Sequence, residues 1–254
     1  MKTNYSFLWL IAACCFGGCG EVPPVDAPAR TQPTSAGAQH TSYVADTFLT
    51  CTAAPTNIRL FWKDREGRIL GSLGAVRHYT EDSGDTLRFA MNAGMYTEDQ
   101  QPLGLFIQGG KTLRRLNRDT GYGNFYLRPN GVFFITEGGT ADVCTTPDFP
   151  TKRNVQWATQ SGPMLLIDGR IHPAFKQGSL NLNIRNGVGI LPSGDVLLGI
   201  ATVPVNLWDF AQAFKARGCK NALYLDGAIS RAYFPQGGLE DTGGAFGVII
   251  GVTK

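Results

Sequence analysis

Histidine is nearly absent from this sequence: His40, His78 and His172 are the only imidazoles in 254 residues. Cysteine is also sparse outside the first twenty positions, with Cys51, Cys144 and Cys219 far apart in the chain. A zinc site needs His or Cys ligands at close spacing, so a His/Cys metal centre is excluded as a working expectation. Three cysteines cannot all pair, so one is left free or none pair. No G-x-S-x-G stretch occurs, which disfavours a serine hydrolase built on Ser161 or Ser230 with His78 or His172. EF-hand spacing is missing as well. No metal or other cofactor is expected, and Ca2+ held by carboxylates and backbone oxygens is the one exception kept open. The net charge of +3 is too small for a nucleic-acid footprint. Arg114, Arg115 and Arg118 in "LRRLNR" read as the solvated face of one hairpin strand.

Long hydrophobic runs are lacking too. The longest apolar run near the start, Phe7 to Ala13 after Lys2, is too short to span a membrane as a stable helix. It reads as a bacterial export signal over residues 1–19. Small residues before cysteine suggest lipoprotein processing. "FGGC" gives Cys19 at the more usual signal length, while "IAAC" gives Cys14 with the better lipobox. Lipidation is assigned to Cys19, with Cys14 as the competing site. Gly20, in place of Asp, removes the usual inner-membrane retention cue and favours a periplasmic protein anchored to the outer membrane. Residues 20–45 are rich in Pro, Ala, Thr and Ser and form a flexible tether. Residues 46–254 are long enough for one domain with a sizeable core.

What is abundant is glycine, 32 of 254 residues, against a usual ~7%. That favours turn-rich β structure over a helical bundle. Strand candidates follow one another: "NIRLFW" and "RILGSLGAV" around "KDREG", then "PLGLFIQ" and "KTLRRLN" across Gly109-Gly110. "NFYLR" and "GVFFIT" flank Pro129-Asn130-Gly131, and "PMLLI" and "RIH" flank Asp168-Gly169, a pair suited to a two-residue hairpin. "GVGIL" and "DVLLGIAT" close the series. One helix is well marked, with Asn206 as N-cap, apolar residues Leu207, Phe210, Ala211 and Phe214 on one face, and Gly218 at its end. It feeds the buried run "ALYLD". The expected fold is a single α+β domain, a strand-dominated mixed sheet with many hairpins and few helices.

Four stretches look costly to keep for packing alone. "RFAMNAGMY" ends a strand on Asn92-Ala93-Gly94. "WATQSGPMLL" interrupts an apolar run with Thr159, Gln160 and Ser161. "NLNIRNGVGI" sets Asn183, Arg185 and Asn186 before a buried strand, and "LYLDGAIS" stops a buried strand at Asp226-Gly227. Strand ends commonly expose working groups, and Arg suits bidentate contact with phosphate or carboxylate.

In this order the stretches "MNAGMY", "GNFYLRPNGVFF", "ATQSGPMLLIDGRI", "NIRNGVGI" and "LYLDGAIS" resemble the phosphodiester glycosidase family, from about Arg88 to Val252. The resemblance implies hydrolysis of a sugar-1-phosphodiester at the glycosidic C1–O bond, in the bacterial envelope. By the same resemblance Asp226 is the catalytic carboxylate and Arg185 the phosphate ligand. Asn92, Gly94, Thr159, Gln160, Ser161, Asn183, Gly227 and Ser230 are the substrate-binding set. The expected partners are a sugar phosphate or envelope glycan and a membrane reached through the lipid anchor, with no nucleic acid. A second carboxylate is expected, from Glu98, Glu137, Asp142 or Asp241. The chain departs from the family at Ala228-Ile229, where many members carry glycines. That departure motivates an alternative reading, a lipoprotein that binds a sugar phosphate or envelope glycan without turning it over.

Overall fold

The computed structural model describes residues 47–150, 154–226 and 229–254. Their strands are β1 (Phe48–Ala53), β2 (Ile58–Phe61), β3 (Leu87–Asn92), β4 (Phe106–Gln108), β5 (Lys111–Arg114), β6 (Gly131–Thr136), β7 (Ala141–Thr145) and β8 (Val155–Ser161). They continue as β9 (Met164–Ile167), β10 (Arg170–Ile171), β11 (Asn186–Ile190), β12 (Val196–Ala201), β13 (Ala222–Tyr224), β14 (Ala232–Phe234), β15 (Leu239–Glu240) and β16 (Ile249–Thr253). Two α-helices, α1 (Leu73–Asp82) and α2 (Leu207–Ala216), complete the described set apart from short 3-10 turns. The molecule is strand-dominated α+β, as the sequence predicts. The expected mixed sheet resolves into three sheets: β1-β12-β11-β13-β9-β10, β15-β14-β3-β16-β2 and β5-β4-β8-β6-β7. Every strand pairing among the described residues is antiparallel.

Three of the expected hairpins form, β4–β5, β9–β10 and β11–β12. Asp168 and Gly169 both take positive φ, 48° and 76°, and join β9 to β10, because a tight two-residue turn needs that twist. Helix α2 starts at Asn206, whose Oδ1 accepts from the Asp209 N–H at 2.9 Å, and is followed by Gly218 at φ 86°. It buries Phe210, Ala211 and Phe214 against Phe48, Leu165 and Tyr224. Strands β12 and β13 are both antiparallel to β11, so they run the same way and α2 is the crossover between them.

Two local expectations are corrected. "RILGSLGAV" is not a strand: Leu73–Asp82 is helix α1, capped by Ser72 Oγ accepting from the Ala75 N–H at 3.1 Å. His78 therefore stands exposed on a helix. "NFYLR" is not a strand either, because Asn124–Tyr126 makes a 3-10 turn that buries Phe125. The largest core cluster takes residues from all three sheets, among them Leu60, Phe89, Phe106, Phe133, Val188, Leu198 and Leu223. Such a core forces the three sheets to converge, and their converging ends make the site. Among the described residues no helix is long and apolar enough to cross a membrane.

Candidate active site

Strand β13 is apolar because both its faces are covered. Leu223 and Leu225 enter the core shared by the sheets, while Tyr224 packs on the α2 side. The run ends at Asp226, where the ladder stops and backbone groups need other partners. Side-chain amides and hydroxyls supply them. Asn186, at the start of β11, accepts from the Asp226 N–H through Oδ1 at 3.1 Å, and its carbonyl accepts from the Leu225 N–H at 3.1 Å. Asn92, at the end of β3, donates from Nδ2 to the Asp226 carbonyl at 2.7 Å. Ser161, at the end of β8, donates from Oγ to the Leu225 carbonyl at 3.0 Å. Ser230 Oγ donates to the Asp226 carbonyl at 2.9 Å. One strand end from each of the three sheets thus grips the same two residues.

The two asparagines also grip each other. Asn186 Nδ2 donates to Asn92 O at 2.6 Å and to Asn92 Oδ1 at 3.1 Å, and Asn92 Oδ1 accepts from the Arg231 N–H at 3.0 Å. A carboxamide carries both donors and acceptors, so it can cross-link unlike backbone groups where a carboxylate cannot. Asn92, Asn186 and Ser161 are fully buried, and buried polar groups persist when they are bonded in this way. The frame holds Asp226 by its main chain.

The sequence reading expected Asn92, Gln160, Ser161 and Arg185 to touch substrate. The structure gives them internal work. Gln160 uses its whole amide: Oε1 accepts from the Leu105 and Asn117 N–H groups, both at 2.9 Å, and Nε2 donates to Asn117 O at 2.7 Å and Thr146 Oγ1 at 3.2 Å. It staples the 103–117 segment to β8. Arg185 is 1% exposed. Its Nε donates to Val205 O at 2.7 Å, Nη2 to Asn181 O at 2.8 Å and Oδ1 at 3.2 Å, and Nη1 to Tyr224 Oη at 3.1 Å. Phosphate contact by Arg185 would require breaking this set, so its place here is to lock the segment before α2 onto β13. Thr159 is buried, with its Oγ1 where a side chain at Gly94 would stand. Gly94 is therefore glycine because the chain crosses β8 at close quarters. Asn183 bridges Val205 through both backbone bonds, at 3.1 and 2.9 Å, and sits with Arg185. Gly227 and Cys19 lie outside the described residues.

Sequence reasoning placed Asn186 in a polar stretch without giving it a role, and did not select Tyr96 or Arg231. Tyr96 is half-buried, and its hydroxyl donates to Ala245 O at 3.1 Å. Burial, and then the negative charge of Asp226, push its phenol up to about 12, so the Asp226 carboxylate and this ring share one electrostatic neighbourhood. The 241–247 loop backs Tyr96 and meets Arg231: a Cβ at Gly247 would stand 2.5 Å from Tyr96 Cβ, and Asp241 Oδ2 lies 3.4 Å from Arg231 Nε. Of the four acids considered for a second carboxylate, Asp241 is thus paired with Arg231, whose N–H shares the Asn92 amide with the Asp226 carbonyl. Asp142 instead accepts from the Val143 N–H in β7, and Glu137 lines a cleft beside β8. His172 is buried, stacked on Phe175 with centroids 4.8 Å apart, and the Ser161 and Ser230 hydroxyls donate to carbonyls, so no Ser–His pair forms. A cleft of about 250 Å³ that includes Arg118, Arg128, Asn130 and Thr146 contains none of the Asp226 frame. Among the described residues no three His, Cys, Asp or Glu side chains converge as metal ligands. Cys51 and Cys219 are free thiols.

The fold and site together define a class: an α+β protein presenting an acid at a strand end, braced by buried amides where three sheets meet. The chain belongs to the phosphodiester glycosidase family, whose model matches residues 85–246. It is 35% identical over 202 residues to "Uncharacterized protein YigE" of Escherichia coli, covering 77% of this chain and 79% of that one. The catalytic domain of zebrafish N-acetylglucosamine-1-phosphodiester alpha-N-acetylglucosaminidase has the same fold, at TM-score 0.50 and 18% identity over 83% of this chain and 92% of that domain. A hypothetical protein from Synechocystis matches at TM-score 0.50 and 15% identity, over 81% of this chain and 59% of its own.

Proposed function

We propose that the protein hydrolyses the C1–O bond of a sugar-1-phosphodiester, with Asp226 as the working carboxylate. The observation that carries this is the frame: Asn92, Asn186, Ser161 and Ser230 fix the Leu225–Asp226 backbone from several directions. A catalytic group must be held within a fraction of an ångström of its working position, and packed strand ends do this better than a free loop.

The chemistry suits a sparse acid set. Water adds to C1, the C1–O bond breaks, and a phosphate monoester leaves with the bonding electrons. That leaving group is already stable as an anion, so the demand for a strong general acid is small. What the site supplies is stabilisation of an oxocarbenium-like carbon and a base for the water. Asp226 serves these roles, and Tyr96 beside it stays protonated at neutral pH. Arg185, Gln160 and Thr159 shape the site from behind.

Incubation with a panel of sugar-1-phosphodiesters and measurement of reducing sugar tests the proposal. Release by the wild type and its loss in Asp226→Asn is the expected result. Binding without release would favour the non-catalytic reading, which Ile229, 46% exposed beside Asp226, also suits. The envelope location belongs to the same proposal: export, lipidation at Cys19 and outer-membrane anchoring. Palmitate labelling that survives Cys14→Ser and disappears in Cys19→Ser is the expected outcome.

A further inference from the structure

With Arg185 committed to carbonyls, the substrate phosphate needs another cation. We infer that Arg231 is that cation, and that Asp241 is the counter-ion it exchanges for a phosphoryl oxygen. This inference rests on the proposed hydrolysis for its substrate class, a phosphodiester. The position is fixed through the backbone: one carboxamide, Asn92, donates to the Asp226 carbonyl and accepts from the Arg231 N–H. The Arg231 N–H and the Asp226 carbonyl therefore meet on the same amide.

The guanidinium is seated yet available. A Cβ at Gly243 would stand 2.6 Å from Arg231 Nη1 and 3.2 Å from Asp241 Oδ1, so the fork lies against bare backbone. Asp241 is itself oriented, accepting from the Gly243 N–H at 2.8 Å. The ion pair between them is long, 3.4 Å, with side chains 51% and 38% exposed. Such a pair is weak in water. A phosphodiester, whose single negative charge is shared over two non-bridging oxygens in bidentate geometry, competes with it well, since guanidinium–phosphate pairing is among the stronger charge-assisted contacts.

The test has two arms that fail separately. Titration calorimetry with inorganic phosphate and with methyl phosphate reads the subsite without turnover. The wild type binds both, Arg231→Gln weakens binding about tenfold to a hundredfold, Arg231→Lys restores part of it, and Asp241→Asn tightens it several-fold by removing the competing acid. Gly243→Ala, which displaces the guanidinium and keeps its charge, weakens binding to an intermediate degree. In the second arm, Arg231→Gln raises KM for a sugar-1-phosphodiester much more than KM for a neutral nitrophenyl glycoside of the same sugar. Phosphate binding that depends on Arg231 without any sugar release upholds the subsite and rejects the hydrolysis. Sugar release with KM and phosphate affinity unchanged in Arg231→Gln overturns the subsite and leaves the hydrolysis standing.

Discussion

Replacing Asn92 by alanine removes the hub of the frame and leaves the surrounding apolar core untouched. Three hydrogen bonds end at its side chain: one to the Asp226 carbonyl at 2.7 Å, one from Asn186 Nδ2 at 3.1 Å, and one from the Arg231 N–H at 3.0 Å. The losses are unequal. Asp226 O keeps Ser230 Oγ and Asn186 Nδ2 keeps Asn92 O, so each costs about 0.5–1.5 kcal/mol. The Arg231 N–H loses its acceptor at the mouth of the site, for about 1–3 kcal/mol. The sum is about 2–4 kcal/mol once water compensates the more accessible group. For a domain of this size ~1 kcal/mol moves Tm by about 2–4 °C, so the variant should melt about 5–15 °C lower. Denaturant unfolding gives the free energy, and the reducing-sugar assay gives kcat/KM, expected to fall at least about tenfold because Asp226 is released from its seat. Asn92→Asp sharpens the test, since it keeps both acceptors but cannot donate to the Asp226 carbonyl. Unfolding of Asn92→Ala within about 0.5 kcal/mol of wild type, with turnover intact, would refute the reasoning.

Gln160→Leu deletes four bonds from a buried amide. It should cost about 3 kcal/mol or more and raise hydrogen exchange at Leu105 and Asn117, whose N–H groups donate to Gln160, while Gln108 exchanges as before. Gly94→Ala puts a Cβ onto Thr159 Oγ1 and 2.8 Å from Gln160 O, for about 1–3 kcal/mol by overpacking, read by urea unfolding. The phenol of Tyr96 has a folded pKa of about 12 against an ordinary 10.0. Its stabilising contribution is complete below pH 10 and is lost as pH rises through about 12. Carbon-13 tyrosine titration should show this phenol ionising at lower pH in Asp226→Asn. Burial likewise pushes the thiols of Cys51 and Cys219 up from 9.0 to about 11. Both should label slowly with a thiol reagent at pH 8 in the folded protein and quickly in denaturant.

Local chemistry was legible in the sequence, and long-range partnership was not. The Asp168-Gly169 hairpin and the Asn206 cap depend on residues a few positions apart, so their signals are complete in the chain. Helix α1 was hidden because Gly74 interrupts it and its buried face is only Leu73, Val76 and Thr80, too narrow a stripe beside the apolar run before it. Asp226 was legible as a strand-end acid. The roles of its companions were not, because polarity in sequence does not distinguish a group facing solvent from one facing a carbonyl. Gln160 and Arg185 look like ligands until their bonds to Asn117, Thr146, Val205 and Asn181 are seen. Asn186 stood out in the sequence without a role because its partners, Asn92 and Asp226, lie 94 and 40 positions away. Arg231 escaped notice because one exposed arginine carries no periodic signal.

The central claim is that Asp226 does chemistry on a sugar-1-phosphodiester. Single-turnover release of reducing sugar, wild type against Asp226→Asn at matched folding by circular dichroism, tests it most directly. The account predicts release by the wild type and a loss of at least about a thousandfold in the variant, with the fold intact. Release by Asp226→Asn at the wild-type rate would contradict it.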